Sequence, residues 1–121
     1  MLFRSLADTE YAPGTVVVFG GDEEITTTNT FADACVAGVI STNPAYLMNG
    51  ANPGLPVALR GRVPTMVVGP VRKGDSLVTA GATPGCAISV GTSPIYAQAV
   101  FAKSLVNDDT QGPRLIEAVI I

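Results

Sequence analysis

The chain is a succession of short apolar runs, and most of them end at a Gly or a Pro. The runs are rich in Val, Ile and Thr, which favour β-strands, and the Gly and Pro residues between them mark turns. The pattern therefore predicts an all-β domain, a compact barrel or sandwich of about eight to ten short strands with at most one or two helical turns. The predicted strands are residues 15–19, 25–28, 36–41, 57–63, 65–68, 76–79, 86–90, 96–106 and 115–121.

The strand over residues 57–63 alternates between apolar and polar positions, which is the period of a half-exposed strand. Arg60 and Arg62 fall on its polar face. Two arginines on one face of a charge-poor chain indicate a salt bridge or an interface, and a solvated face is at least as good an interpretation. Recognition of a substrate phosphate is the less favoured alternative, since no Gly-rich phosphate loop precedes a helix.

The closing strand, residues 115–121, is apolar throughout except for Glu117. Alternation along a strand places Leu115 and Val119 on one face and Ile116 on the other. We therefore name Leu115, Ile116 and Val119, together with the two arginines above, as possible interface residues.

One segment allows two predictions. Residues 96–106 fit a long strand, but a helix over residues 94–106 is an open alternative because this segment contains good helix formers. Residues 49–56 are crowded with Asn, Gly and Pro, which predicts a surface loop. Gly38, inside an apolar run, predicts a β-bulge or a close backbone neighbour.

The 121 residues are expected to form one β domain over residues 11–121, preceded by a polar arm or lead-in over residues 1–10. The first residues lack the apolar centre of a signal peptide. No apolar run approaches the roughly 18 residues of a membrane span. The sequence thus predicts a chain made in the cytoplasm that does not enter a membrane.

Composition changes this picture in one respect, the shortage of charge. Charged residues make up only 14% of the chain, and the net charge is −3. Without a basic stripe the chain is not expected to bind nucleic acid. Apolar strands that do not alternate must be buried on both faces, and a domain this small can enclose few of them. We therefore expect a homo-oligomer, most favourably a trimer.

The sequence offers little chemistry, because it contains no His. Ser–His and Cys–His nucleophilic pairs are therefore impossible within one chain. Lys73 with Ser76 and Lys103 with Ser104 are weak candidates for a nucleophile–base pair. The acidic tips at residues 22–24 and 108–109 lack the ligand spacing of a calcium loop, and Asp75 suits a structural turn. The chain is expected to be no enzyme and to hold no metal or cofactor.

Two cysteines, Cys35 and Cys86, lie among small apolar residues. Free Cys commonly behaves as a small core residue, and the chain is no Cys-dense secreted scaffold. We expect two buried free thiols.

Several long segments of the chain resemble the C-terminal domain of large tail-fibre and appendage structural proteins of bacteriophages, notably those of marine cyanophages. The order GVIS-NP, an L-x-G-x-V strand and a Gly turn is more distantly similar to the autoproteolytic C-terminal domain of some Bacillus phage appendages. The segments that carry the first resemblance are YAPGTVVVFGG (11–21), VAGVISTNPAYLMN (36–49), VALRGRVP (57–64), VGPVRKGDSLVT (68–79) and LIEAVII (115–121).

The resemblance implies a virion structural domain that ends a shaft, is usually trimeric, and sits at a fibre tip or particle surface, with surface attachment as a further role. Such a protein would be made in the host cytoplasm and located in the virion. Two other functions stay open: a self-cleaving or chaperone-like maturation domain of a phage appendage, and a small cellular β-barrel binding module. The residues that would perform self-cleavage have no identified place in this sequence.

Overall fold

The structure is a computed structural model that describes residues 2–41, 47–48 and 54–121. Strands joined by turns, with one 3-10 helix, account for these residues, which confirms the predicted all-β class. Most of the predicted loop over residues 49–56 lies outside the described residues. The elements are β1 (Leu2–Ser5), β2 (Val16–Phe19), β3 (Ile25–Thr26), β4 (Val36–Ile40), β5 (Leu47–Met48), β6 (Leu55–Ala58), β7 (Gly61–Val67), β8 (Ser76–Thr79), β9 (Ala87–Ser89), the 3-10 helix (Pro94–Ala99), β10 (Ala102–Ser104) and β11 (Arg114–Ile120).

Five strands close into a barrel in the order β10-β11-β7-β9-β8. Its longest pairing joins β11 and β7, antiparallel over seven residue pairs from Arg114 opposite Val67 to Ile120 opposite Gly61. β10 pairs with β8 and so completes the ring, and β7 meets β9 in parallel where Val67 lies opposite Ala87. Closure of this kind leaves no free strand edge.

The barrel interior is filled by alternate residues of its strands. β11 contributes Ile116, Ala118 and Ile120, and β7 contributes Val63 and Val67. Since successive side chains of a strand point to opposite faces, the residues between them point outward. The residues of β11 therefore alternate between the barrel interior and its outer surface, although almost all of them are apolar.

The other six strands form a sheet in the order β3-β2-β4-β6-β1-β5. Neighbouring strands of this sheet run antiparallel, except that β1 and β5 run parallel. One side of this sheet packs on the barrel, where Val16, Val39 and Ala58 join the barrel core. The second core, on the other side, consists of Val17, Ile25, Ala37, Ile40 and Val57.

Strand β2 has both of its faces buried, as its unalternating sequence predicts. Val16 contacts the barrel core and Val17 the second core, and Val18 is buried as well. Both of the cores that bury the faces of β2 are made of residues of this chain. The argument that this strand needs another subunit to cover it is therefore wrong, because the fold places the strand between its own two cores.

The N-terminal segment differs from the expected loose arm. β1 pairs with β6 over four residues, and the residues after it run along the far edge strand, β3. The carbonyl of Leu6 accepts hydrogen bonds from the amides of Glu24 (2.9 Å) and Ile25 (3.0 Å), and Ala7 forms a parallel bridge with Ile25. Residues 5–8, which we call the clasp, thus join the two ends of the five-strand run β3-β2-β4-β6-β1.

Exposed carboxylates hold the clasp in place. Glu24 Oε1 accepts a hydrogen bond from the Leu6 amide at 2.7 Å. Asp8 accepts hydrogen bonds from the Tyr11 hydroxyl and from Thr26 Oγ1, the latter at 2.9 Å. These two hydrogen bonds hold the pKa of Asp8 below its ordinary value of 3.8, because they favour the charged carboxylate.

The predicted strand over residues 57–63 is two strands in different layers. β6 ends at Ala58 and β7 begins at Gly61, whose φ of +100° suits glycine at a sharp corner. Val57 lies in the second core, whereas Val63 lies in the barrel core. Arg60 is exposed at the corner between them. The regular alternation in the sequence therefore does not correspond to one continuous surface.

Residues 94–106 combine parts of both predicted alternatives. A 3-10 helix spans Pro94–Ala99, and β10 spans only Ala102–Ser104. Ser93 caps the helix, since its Oγ accepts a hydrogen bond from the Ile95 amide at 3.3 Å. Pro94 suits the first helical position, where no amide hydrogen is needed. The long strand predicted from residue 96 is therefore wrong over its first half.

Gly38 shows both features that its position predicts. The register of β2 against β4 shifts between Val17 and Val18, which marks a β-bulge beside Gly38. A Cβ atom at Gly38 would lie 2.2 Å from the carbonyl oxygen of Ala58. Only glycine allows β4 and β6 to approach this closely.

Candidate functional site

The outer surface of β7 and β11 brings several of the predicted interface residues together. Leu115 lies opposite Met66, and Val119 lies opposite Arg62. Because the residues between them point into the barrel, these side chains point outward. We call this surface the β7–β11 face; it consists of Arg62, Pro64 and Met66 on β7 and of Leu115, Glu117 and Val119 on β11.

Leu115 is the most prominent apolar residue of this face, with 51% of its surface exposed. It lies directly on the turn at Gly14, where an added Cβ would be 2.2 Å from Leu115 Cδ2. A backbone hydrogen bond attaches this turn to β7, because the Met66 amide donates to the Gly14 carbonyl at 2.8 Å. Gly14 also has a φ of +93°, so both space and backbone favour glycine there.

A shallow groove adjoins Leu115 at the junction of the barrel and the sheet. Its volume is about 270 Å³. The residues that line it are mainly apolar: Pro13, Gly14, Ile40, Ser41, Val63, Pro64 and Leu115. The apolar end of the β7–β11 face therefore continues into a concave surface.

The middle and the far end of the face carry charge, because Glu117 lies opposite Pro64, and Arg62 lies opposite Val119. Arg62 Nε and Glu117 Oε1 are 3.2 Å apart, with 67% and 39% of the two side chains exposed. An exposed pair of this kind stabilises a fold by only about 0.2–1 kcal/mol. Glu117 Oε2 is shielded from solvent and has no hydrogen-bond partner among the described residues. Lys103 of β10 lies beside Val119 and adds a cation at the border.

The structure separates the predicted interface residues into two groups. Leu115 and Val119 share the outer face, as predicted, and Ile116 lies on the opposite face. Ile116 is only 5% exposed and belongs to the barrel core, so its own chain already covers it. Arg60 lies at the corner after β6 and does not share a strand face with Arg62.

Sequence reasoning missed Pro64 and Met66 as members of this face. The inward residues of β7 are Val63, Thr65 and Val67, and their spacing of two was visible in the sequence. That signal would have placed Pro64 and Met66 on the outer side. The prediction of two separate strands, 57–63 and 65–68, divided the segment at Pro64 and hid this spacing.

A second exposed apolar surface lies on the 3-10 helix and the segment before β4. Phe31 and Tyr96 meet edge to face, with ring centroids 5.2 Å apart and planes at 89°. Beside Tyr96 in the sequence, Ile95 is 80% exposed, and Phe31 is 45% exposed. We call Phe31, Ile95 and Tyr96 the aromatic patch.

The candidate Lys–Ser pairs gain no support from the structure. Ser104 is buried, and its hydroxyl donates to the Val106 carbonyl at 2.9 Å, whereas Lys103 is exposed on the opposite face of β10. Ser76 is likewise buried, whereas Lys73 is exposed. A nucleophile and its base must lie within hydrogen-bond reach, and these placements do not favour it.

Asp75 has the structural role that its position in a turn predicts. Its Oδ2 accepts hydrogen bonds from the Arg72 amide at 2.9 Å and from Ser89 Oγ at 2.8 Å. It thereby ties the turn before β8 to the end of β9.

The acidic tips show no metal centre. No group of three or more His, Cys, Asp or Glu residues within 2–41, 47–48 and 54–121 could hold a metal ion. In the second tip, Asp109 pairs with Arg72 and Asp108 pairs with Arg114. In the same part of the chain, no helix has the length and apolar character needed to cross a membrane.

The two cysteines are free, but only one is buried. Cys86 lies in the interior, and its burial raises the pKa of the thiol. Cys35 is exposed, contrary to the expectation of two buried thiols. The difference arises because Cys35 lies in the turn before β4, where Asp33 Oδ1 accepts a hydrogen bond from its amide at 2.8 Å.

No protein-family model matches this chain, and a search of curated proteins finds no significant match. The function must therefore be argued from the surfaces described above and from the sequence. The resemblance to phage appendage proteins stays a prediction.

Proposed function

We propose that this chain is a structural domain of a bacteriophage particle, of the tail-fibre or appendage type, that acts by assembling into a homo-oligomer. A trimer is the form that the sequence resemblance favours. The domain would be made in the host cytoplasm and located in the virion, at a fibre tip or particle surface. It would not act as an enzyme on external substrates.

The observation that carries this proposal is the amount of apolar surface on a charge-poor domain. Among the residues that the structure describes, six large apolar side chains have more than a third of their surface exposed, including Phe19 at 57% and Ile95 at 80%. Scattered exposed apolar residues are ordinary. Here, however, only 14% of residues are charged, whereas about 25% of the residues of a typical soluble domain are charged. Assembly would bury part of this exposed apolar surface against other copies of the chain.

The experiment that tests assembly is light scattering on the purified chain at micromolar concentration, combined with intact mass. We expect a particle with about three times the 12.4 kDa mass of one chain, built from uncleaved chains. A monodisperse monomer would contradict the proposal and favour a small binding module. Spontaneous cleavage at one site would instead favour the self-cleaving maturation domain.

A further inference from the structure

We infer that the sheet contains a binding site for an extended peptide, and that the N-terminal segment of a second copy of this chain fits it. The site is the slot between β6 and β3, which residues 2–8 of the same chain occupy in the structure. The inference goes beyond the proposed assembly, since it concerns a site on the single chain and two copies suffice to exchange a segment.

The walls of the slot are built without the segment that fills it. β6 pairs with β4 on its other side, and β3 pairs with β2. The buried residues of the second core all come from these four strands. Ala7 of the clasp packs against the margin of that core and is only partly buried. The slot therefore keeps its walls and its apolar core when the clasp leaves.

The backbone groups of the slot need an extended chain as their partner. The amides of Glu24 and Ile25 donate to the Leu6 carbonyl at 2.9 and 3.0 Å, and β1 adds four residue pairs to β6. An empty slot would expose two strand edges, and such edges are templates for another extended segment. Main-chain pairing at a sheet edge is a recurring mode of peptide recognition.

Gly54 shapes the slot for the backbone of that segment. A Cβ atom at Gly54 would lie 2.4 Å from the Ser5 carbonyl oxygen and 2.9 Å from the Leu6 nitrogen. Arg4 Nη1 donates to the Gly54 carbonyl at 3.0 Å. Only glycine at this position lets a peptide backbone pass so closely.

Two side chains of the slot select the sequence of its occupant. Glu24 Oε1 accepts hydrogen bonds from the Ser5 hydroxyl at 3.1 Å and from the Leu6 amide at 2.7 Å. Thr26 Oγ1 donates to Asp8 Oδ2 at 2.9 Å. The slot thus favours a hydroxyl followed three residues later by a carboxylate. Every copy of this chain carries that pair in its clasp, so a second copy is the fitting occupant.

The clasp is held loosely enough to be replaced. Leu6 and Asp8 are exposed, and the next residues, Thr9 and Glu10, are exposed and belong to no strand. Segments with few buried contacts open locally at a low cost in free energy. A second copy would reproduce the same contacts, and exchange of an identical element is a low-cost route to a dimer.

The test measures the binding of a fluorescent peptide of residues 2–10 to variants of the 121-residue chain by anisotropy, with circular dichroism to confirm folding. In Leu6→Pro the chain's own segment lacks the amide that donates to Glu24, so the slot opens while its walls are unchanged. We expect the peptide to bind this variant at least about tenfold more tightly than the wild type, whose own segment competes at a high effective concentration. Asp8→Asn serves as a milder way to open the clasp if Leu6→Pro does not fold.

Two glycine substitutions provide the matched control. Combined with Leu6→Pro, Gly54→Ala should abolish peptide binding, whereas Gly61→Ala should leave it unchanged. Both glycines have a positive φ, +117° and +100°, but a Cβ atom at Gly61 meets nothing within 4 Å. Equal effects of the two substitutions, or no peptide binding to a folded variant with an opened clasp, would overturn the site.

A disulfide between two copies tests the occupant. Ser5 and Leu55 are register partners, so mixed chains that carry Ser5→Cys and Leu55→Cys, in a Cys35→Ser background, should form a covalent heterodimer on slow oxidation. The corresponding barrel pair, Ser104→Cys and Ala118→Cys, should form none. Peptide binding without the heterodimer would overturn the second copy as occupant. A trimeric wild type that fails both tests would leave the proposed function standing and overturn this inference.

Discussion

The two cores of this molecule are enclosed in different ways. The barrel is closed by backbone hydrogen bonds, most of all by the seven residue pairs of β7 and β11. The sheet is closed by residues 5–8, where the Leu6 carbonyl and the side chains of Glu24 and Asp8 make the junction. The hydrogen bonds of a backbone ladder contain no titratable group, whereas the pKa of Asp8 is lowered because its charged form accepts two hydrogen bonds. We therefore expect acid to loosen the closure of the sheet at Asp8 before it affects the β7–β11 ladder.

Removal of a buried barrel side chain should have the largest effect. Leu77 of β8 is fully buried in the barrel core, so Leu77→Ala leaves a cavity and should cost about 2–5 kcal/mol in the free energy of unfolding. Urea unfolding measures this change. Ile95→Ala, at an exposed position, is the control and should stay within about 0.5 kcal/mol of the wild type. Equal effects of both would show that the barrel core does not determine stability.

Loss of Arg114 should have the next largest effect. Its half-buried guanidinium donates to the Gly69 carbonyl at 2.7 Å and pairs with Asp108 at 3.4 Å, so it fixes the loop before β11 to the end of β7. Arg114→Ala should lower the free energy of unfolding by about 1–3 kcal/mol. Arg114→Lys should restore only part of this, since lysine cannot reproduce the planar fork.

The control for that prediction is Arg72→Ala, which removes an exposed ion pair with Asp109. Such pairs contribute about 0.2–1 kcal/mol. If Arg72→Ala destabilised the chain as much as Arg114→Ala, the loop attachment would not depend on burial.

Opening the clasp should have a local effect that does not reach the barrel. In Asp8→Asn and Glu24→Ala, we expect the amide of Ile25, which donates to Leu6, to exchange with deuterium several-fold faster than in the wild type, because the clasp opens more often. Amides of β7 and β11 should be unchanged. Glu23→Ala, in the same turn, is the control. Equal acceleration throughout the chain would mean that the clasp and barrel open together.

The smallest effect should be a loss of clasp protection in acid. The Tyr11 and Thr26 hydrogen bonds lower the pKa of Asp8 in the clasp. Away from the clasp, the Cys35 amide and the Thr28 hydroxyl lower the pKa of Asp33 in the same way. Because a lowered pKa means that the folded state favours the charged form, this stabilisation is present above the ordinary value of 3.8 and is lost as the pH falls below it.

Hydrogen exchange corrected for intrinsic rates would show this loss below that pH in the wild type. Asp8→Asn, which lacks the Asp8 carboxylate, should show a smaller difference between neutral and acidic pH. Asp108 also has a lowered pKa, through hydrogen bonds to Thr110 and its pairing with Arg114, but it belongs to a barrel loop. Its protonation should loosen that loop and leave the β7–β11 ladder intact.

The parts of the fold that were predictable from sequence are those set by local patterns. The β-branched residues of β2 and β4 predicted strands, and Gly38 predicted the bulge, because each signal lies within a few residues. In the same way, alternation along β11 placed Leu115 and Val119 on one face. The register that brings Met66 beside Leu115 joins residues far apart in the sequence, so no local pattern contains it.

The parts that were mispredicted depend on the tertiary structure. Residues 57–63 alternate regularly, yet the chain changes layers at Gly61, since alternation does not specify which core a face meets. β1 is short, and its pairing with β5 and β6, which are distant in the sequence, makes it a strand. Ile116 was named as an interface residue because an apolar strand does not reveal whether its own chain or another chain covers each face.

Hydrogen exchange measured residue by residue at neutral and at acidic pH tests the comparison of the two cores most directly. Below the ordinary Asp8 pKa of 3.8, the Ile25 amide, which donates to the Leu6 carbonyl, should exchange faster once intrinsic rates are corrected, while the amides of β7 and β11 keep their protection. An equal loss of protection at Ile25 and in the β7–β11 ladder would contradict the account.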